Sequence, residues 1–163
     1  MSRWETSSAM DAGAPPAAVW ERADADADAW PRWNSAIRRA SLDGPLALGA
    51  KARIAFRTGL RLRFRVLEFE LGRLFTDEAR LPGARIGHRH LVAPSGGGSR
   101  LTNTIYIEGT LAPLWRRILG PAARRSLPAA QEAVAELAAI SSAGLSQTSG
   151  GCTVARRPYR WRI

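Results

Sequence analysis

The sequence predicts one α+β domain, in which a curved antiparallel sheet packs against a long C-terminal helix and an apolar cavity lies between them. The length of 163 residues suits a single domain. Apolar residues recur with a period of two between Ala36 and Glu108, and with helical spacing after Gly109. Short turn signals separate the strands, so neighbouring strands are expected to form hairpins.

The N-terminal segment predicts one strand followed by two short helices. Residues Trp4–Met10 are compatible with a strand, and the prolines before Val19 suit the first turn of a helix over about Pro16–Ala23. The aspartates at 24–28 lack the glycine and the final acid of an EF-hand loop, and we interpret them as a solvated connector. Trp30 and Trp33 share one face of the second helical turn.

Alternation in the middle of the chain predicts a sheet of about six or seven strands with one buried face. The residues assigned to that face are Ile54, Phe56, Leu62, Phe64, Val66, Ile86, His88, His90 and Val92. Apolar residues occupy even positions up to Val66 and odd positions at Leu67, Phe69 and Leu71. This change predicts a β-bulge near Val66 and Leu67, which would bend the sheet into a concave face.

The C-terminal part predicts a long amphipathic helix and then a tail. Thr110 is a candidate N-cap, and Pro121 and Pro128 predict a kink or a brief break. The predicted apolar stripe consists of Leu114, Ile118, Leu127, Ala130, Val134 and Leu137. We expect the helix to end near Ile140. Residues 1–140 would then form the domain, and residues 141–163 a disordered basic tail.

A net charge of +10 raises the question of an anionic partner. The basic residues with the opposite parity to the buried face are Lys51, Arg53, Arg57, Arg63, Arg65, Arg85 and Arg89. One hypothesis is a basic outer face that binds an anionic partner such as an acyl-carrier protein, nucleic acid or lipid head groups. The alternative, which we favour, is a solvated face enriched in arginine by codon usage. A nucleic-acid partner is not expected, because that face lacks interleaved aromatic residues.

Cys152 is the only cysteine, which excludes an intramolecular disulfide and a thiolate metal cluster. No apolar run is long enough to span a membrane, and we find no signal peptide, so a cytoplasmic location is expected. The oligomeric expectation is a monomer or a homodimer.

Four stretches resemble the START-like (SRPBCC) superfamily, especially its polyketide cyclase/dehydrase branch. They are APPAAVWERADADADAWPRWNSAI, LDGPLALGAKARIAF, GHRHLVAPSGGGSRLTNTI and EGTLAPLWRRILGPAARRSLPAAQEAVAELA, and together they span about residues 4–140. The resemblance implies a helix-grip fold, in which the sheet wraps around the C-terminal helix and encloses a ligand cavity. It implies no universal catalytic motif.

Candidate ligand-binding residues follow from parity and from the implied cavity. The apolar candidates are Trp33, Phe56, Phe64, Trp115 and Ile118, and the polar candidates are His88, His90, Tyr106, Asn103 and Thr104. His88 and His90 share one strand face and either line the cavity as acid–base groups or remain satisfied core residues. A metal would need a third ligand from Glu68, Asp77 or Glu108, so no metal or cofactor is predicted.

Three functions are consistent with the sequence. The first is a binding protein for a small hydrophobic molecule such as a polyketide, lipid or aromatic metabolite, with a cavity of several hundred cubic ångströms expected. The second is a polyketide cyclase/aromatase-type enzyme that uses His88, His90 or Tyr106 as a proton carrier. The third is an interaction module that acts through the basic outer face.

Overall fold

A computed structural model describes residues 2–23 and 27–146. The elements, in chain order, are β1 (Ser2–Ala12), α1 (Pro16–Ala23), a 3-10 turn (Ala27–Ala29), α2 (Trp30–Trp33), β2 (Ile37–Leu42), β3 (Lys51–Phe56), β4 (Arg61–Glu70), β5 (Leu74–Leu81), β6 (Ala84–Ser95), β7 (Gly98–Gly109) and α3 (Ala112–Ser146). The predicted α+β class and the helix-grip arrangement are confirmed. Asp24, Asp26 and Cys152 lie outside the described residues.

The seven strands form one antiparallel sheet in the order β1-β7-β6-β5-β4-β3-β2. Strands β2 to β7 follow one another as hairpins, and β1 returns to pair with β7 along its whole length. The β5–β6 turn depends on Gly83, which has a φ of +62° and lies directly under the Leu111 side chain. This contact joins the turn to the start of α3.

The predicted bulge is present where β4 pairs with β5, between Val66 and Glu68. After the bulge, the predicted burial of Leu67, Phe69 and Leu71 is only partly correct. Leu67 and Leu71 are exposed, and Phe69 is partly buried. The extra residue turns Leu67 away from the buried face, so Val66 and Phe69 lie on the inner side.

Helix α3 differs from the prediction at both ends, and it has no break at its prolines. The Thr110 hydroxyl donates to the Gly83 carbonyl, which removes it as the N-cap of a helix that begins at Ala112. The helix runs through Pro121 and Pro128 without a break, and it ends at Ser146, six residues beyond Ile140.

The buried stripe of α3 also has a different phase from the predicted one. Leu127, Ala130 and Val134 are buried as expected, whereas Leu114 and Ile118 are exposed. Leu137 is also exposed. The first turns of the helix carry apolar residues on two faces. Leu119 and Ala123 lie on the face that contacts the sheet, whereas Leu114 and Ile118 lie on the exposed face.

Helix α3 packs against β1, β7 and α1 across the concave face of the sheet. Phe75 on β5 is fully buried and is surrounded by the rings of Trp20, Trp30 and His90. This aromatic cluster fixes α1 and α2 against one end of the sheet, and the space beside it is the cavity described below.

Candidate functional site

A cavity of about 180 Å³ lies between the inner face of the sheet and α3. Its apolar wall consists mainly of Trp33, Ile37, Ile54, Phe56, Leu60, Leu62, Phe64, Ile86, Ile105, Leu119, Ala122, Ala123, Leu127 and Ala130. The predicted size of several hundred cubic ångströms was wrong, because the cavity holds only about 180 Å³.

Three polar side chains interrupt the apolar wall on neighbouring strands. Asp77 on β5 pairs with His88 on β6, and Asn103 lies on β7, opposite His90. Asp77 Oδ1 and His88 Nε2 are buried and have no hydrogen-bond partner among the described residues. A buried polar atom without a partner loses roughly 1–3 kcal/mol relative to water, so both atoms are available to a ligand in the cavity.

Burial changes the protonation of both groups. Desolvation raises the pKa of Asp77 to about 8, against a smaller opposing effect of a backbone hydrogen bond with His88. Desolvation lowers the pKa of His88 to about 4. At neutral pH Asp77 is therefore a protonated carboxylic acid next to the neutral imidazole of His88, and this pair carries no net charge.

His90 supports His88 from outside the cavity. Its Nε2 lies 2.9 Å from His88 Nδ1, and its ring stacks on Phe75 at a centroid distance of 4.2 Å. Burial, followed by the neighbouring His88, lowers the pKa of His90 well below its usual value. When His90 donates in this hydrogen bond, His88 Nε2 carries the proton and acts as a donor into the cavity, and the reverse tautomer makes it an acceptor.

The structure brings five of the predicted ligand-binding residues to the cavity, namely Trp33, Phe56, Phe64, His88 and Asn103. Trp115 does not line it, because its indole N–H donates to the Pro82 carbonyl at 2.9 Å. Ile118 is 56% exposed and lies on the solvent side of α3. Both residues belong to the part of α3 whose phase the sequence did not determine.

Tyr106 and Thr104 lie on the outer face of the sheet, not at the cavity. The Tyr106 hydroxyl donates to Glu78 at 3.0 Å, and Thr104 lies 2.9 Å from the Ser7 hydroxyl. The Tyr106 ring covers Gly87, where a Cβ atom would be 2.0 Å from it. Desolvation and Glu78 raise the pKa of Tyr106 to about 12. Asn103 points inward, so its even-numbered neighbours on β7 point outward.

Asp77 is the main functional candidate that the sequence analysis missed as a cavity residue. It was considered only as a third metal ligand, together with Glu68 and Glu108. Its strand alternates Phe75, Asp77, Ala79 and Leu81 on one face, and all four are buried. That alternation was visible in the sequence and would have placed a carboxyl group among apolar neighbours.

The basic outer face is only partly as predicted. Arg53, Arg85 and Arg89 are exposed and form ion pairs with Asp43, with Glu78 and Glu108, and with Glu68. Lys51, Arg63 and Arg65 are also exposed on this face. Arg57 does not belong to it, because it lines the cavity and donates to the Ser35 carbonyl at 2.9 Å.

Within the described residues, no group of three or more His, Cys, Asp or Glu side chains is placed to hold a metal ion. No helix in this part of the chain is long and apolar enough to cross a membrane.

Comparison with known proteins adds a family and a set of structural neighbours. The model of the family described as polyketide cyclase / dehydrase and lipid transport matches residues 3–140. No curated protein matches the sequence significantly.

Solved structures share the fold at low sequence identity. Protein MLL2253 from Mesorhizobium loti is 21% identical over 90% of this chain and 99% of its own, with a TM-score of 0.64. Norcoclaurine synthase from Thalictrum flavum, in complex with dopamine and hydroxybenzaldehyde, is 14% identical over 85% and 88% of the two chains, with a TM-score of 0.66. The di-domain ARO/CYC StfQ from the steffimycin biosynthetic pathway is 11% identical, with a TM-score of 0.69. This match covers 86% of the present chain and 52% of StfQ.

Proposed function

The chain belongs to the polyketide cyclase / dehydrase and lipid transport family, and we propose that it binds a small hydrophobic molecule with an oxygen substituent in the cavity between the sheet and α3. The observation that carries this proposal is the pair of unpartnered atoms, Asp77 Oδ1 and His88 Nε2, in an otherwise apolar wall. Ligand sites typically combine an apolar lining with a few polar groups that fix the orientation of the ligand.

The cavity size defines the ligand class. An apolar protein cavity of roughly 150 Å³ accommodates benzene, so 180 Å³ suits a molecule of one or two rings. The neutral carboxyl group of Asp77 donates a hydrogen bond to a carbonyl or hydroxyl oxygen, and His88 Nε2 supplies the second contact. A carboxylate or an ammonium group placed against this uncharged pair would remain uncompensated and would be disfavoured, because the cationic side chain in the wall, Arg57, is exposed to solvent.

The test compares 1-naphthol with naphthalene, which differ only in the hydroxyl group. Isothermal titration should give a dissociation constant about fivefold lower for 1-naphthol, because one added hydrogen bond contributes roughly 1 kcal/mol. His88→Phe should remove this preference. The matched control Tyr106→Phe should keep it, because Tyr106 lies outside the cavity. Equal affinity for both probes in the wild type, or loss of the preference in the control, contradicts the proposal.

A second candidate function is proton-transfer catalysis, and it is favoured by the shifted pKa values of Asp77 and His88. Ionised Asp77 would remove a proton from the carbon next to a ligand carbonyl, while His88 Nε2–H would donate to the developing enolate oxygen. The carbon–hydrogen electron pair moves into the enolate, and the proton is held on Asp77. His90 and Tyr106 are not proposed as proton carriers in this reaction, because neither residue lines the cavity.

The catalytic candidate is tested with 1-tetralone in deuterium oxide, by following exchange of the protons next to the carbonyl with NMR. Catalysis predicts exchange that accelerates with pH until Asp77 is ionised, at about pH 8, and that disappears in Asp77→Asn. Tight binding of 1-tetralone without accelerated exchange would leave binding alone as the function.

A further inference from the structure

The first half of α3 presents an apolar stripe to solvent, outside the cavity. Leu114 is 52% exposed and Ile118 is 56% exposed, and the two lie four residues apart on one helix face. Leu111 continues the stripe at 43% exposure. Neighbouring large aliphatic side chains that are exposed on one face make it a candidate surface for a partner. We call these three residues the apolar stripe.

Four arginines lie on one side of the apolar stripe, with Arg117 and Arg125 nearest to it, and acidic residues are absent from this stretch of sequence. Residues 109–131 contain Arg116, Arg117, Arg124 and Arg125 and no aspartate or glutamate. All four arginines are exposed, and none forms an ion pair with a carboxylate in the described part of the chain. They line a surface groove next to Trp4, and the Arg124 guanidinium lies 5.8 Å from the Trp4 ring centre.

The apolar stripe leads to the mouth of the cavity. Three residues of the cavity wall are exposed and define this mouth, namely Arg57, Thr58 and Ala122. Ala122 follows Ile118 by four residues, so Leu114, Ile118 and Ala122 lie in one row along α3. A surface that covers the apolar stripe therefore also lies beside the opening through which a hydrophobic ligand would enter.

We propose that the protein docks on anionic lipid surfaces through the first half of α3, with the apolar stripe inserted among the lipids and the adjacent arginines on the phosphates. A helix with one apolar face and cationic flanks lies in the plane of a bilayer interface in this way. A second copy of the chain is disfavoured as the partner, because two chains of net charge +10 repel each other. The proposal is independent of the proposed function, since none of the residues that contact the lipid lines the cavity.

The test is co-sedimentation of the full-length protein with vesicles of phosphatidylcholine, with or without 30% phosphatidylglycerol. Binding is expected only to the anionic vesicles. The paired change Arg117→Gln and Arg125→Gln should weaken it about 30-fold, since each basic residue near an anionic surface contributes roughly a fivefold gain. The pair Leu114→Gln and Ile118→Gln should weaken it at least about tenfold. All four positions are exposed, so the fold should be unchanged by circular dichroism.

The matched control is the pair Arg61→Gln and Arg63→Gln, which removes the same charge from exposed arginines on the outer face of β4. This pair should lower binding by less than about threefold, because distant charges are screened beyond roughly 10 Å. Every variant keeps the basic residues beyond 146, so their contribution to binding is the same throughout.

Three outcomes overturn the proposal. One is no binding of the wild type to anionic vesicles. Another is equal loss in the two arginine pairs, which indicates attraction by the overall charge. The third is a loss in Arg117→Gln and Arg125→Gln without a loss in Leu114→Gln and Ile118→Gln, which indicates electrostatic adsorption without insertion of the apolar stripe.

Discussion

Replacing Asp77 by asparagine should make the protein less sensitive to alkaline pH. The side chain is 3% exposed, and burial raises its pKa from 3.8 to about 8. In the unfolded chain Asp77 ionises near pH 4, whereas in the folded chain it keeps its proton up to about pH 8. Within this window only the unfolded state gains from ionisation, so the wild type loses stability as the pH rises.

The magnitude follows from the width of the window. One unit of pKa difference corresponds to about 1.4 kcal/mol, and the difference between 3.8 and about 8 therefore gives about 6 kcal/mol in total. Between pH 5 and pH 7 the wild type should lose about 3 kcal/mol relative to Asp77→Asn, and above about pH 8 the difference should become constant.

Urea denaturation of both proteins at unit steps from pH 3 to pH 9 measures this difference directly, because the pH dependence of every other group cancels. Parallel stability curves would show that Asp77 is not desolvated as described. A wild type that gains stability relative to the variant as the pH rises through 4 would show that Asp77 is ionised in the fold and paired with a cation, in contradiction to the neutral site.

Three further predictions concern the surroundings of the cavity. His88→Gln should lose less stability than the wild type as the pH falls from 6.5 to 4, by up to about 3 kcal/mol, because only unfolded His88 takes up a proton in that range. Denaturation at pH 7 and pH 4.5 measures this difference. Gly87→Ala should cost about 1–3 kcal/mol, since the new methyl group meets the Tyr106 ring, and the cost should shrink in a Tyr106→Ala background. Phe75→Ala should cost about 3–5 kcal/mol in the same denaturation assay, because Phe75 is fully buried among three other rings.

The spacing of apolar residues along the chain was sufficient to predict most of the fold. Strands with one buried face are predicted by the strict alternation of apolar and polar residues. The change of this alternation after Val66 predicted the bulge that lies between Val66 and Glu68. The two short helices after β1 were also confirmed, at Pro16–Ala23 and Trp30–Trp33. These features are local, because each depends on residues only a few positions apart.

The site was less predictable, because it depends on tertiary packing. In α3 the pairs Leu114/Ile118 and Trp115/Leu119 have the same spacing, and only contact with the sheet decides which pair is buried. On β7 the sequence did not determine whether the odd-numbered residues, such as Asn103, or the even-numbered residues, such as Thr104 and Tyr106, face the cavity. The size of the cavity depends on how far the rings of its wall extend into it, which no pattern of residue types specifies.

The central claim is that a small hydrophobic ligand occupies the cavity between the sheet and α3, and native mass spectrometry with 1-naphthol tests it most directly. Ala123 lines the cavity and is 7% exposed, so Ala123→Phe should place a ring in the space that the ligand would occupy. The wild type should show a one-to-one adduct, and Ala123→Phe should lose it while keeping its melting temperature. An adduct that is equally abundant on both proteins, or absent from the wild type, would contradict the account.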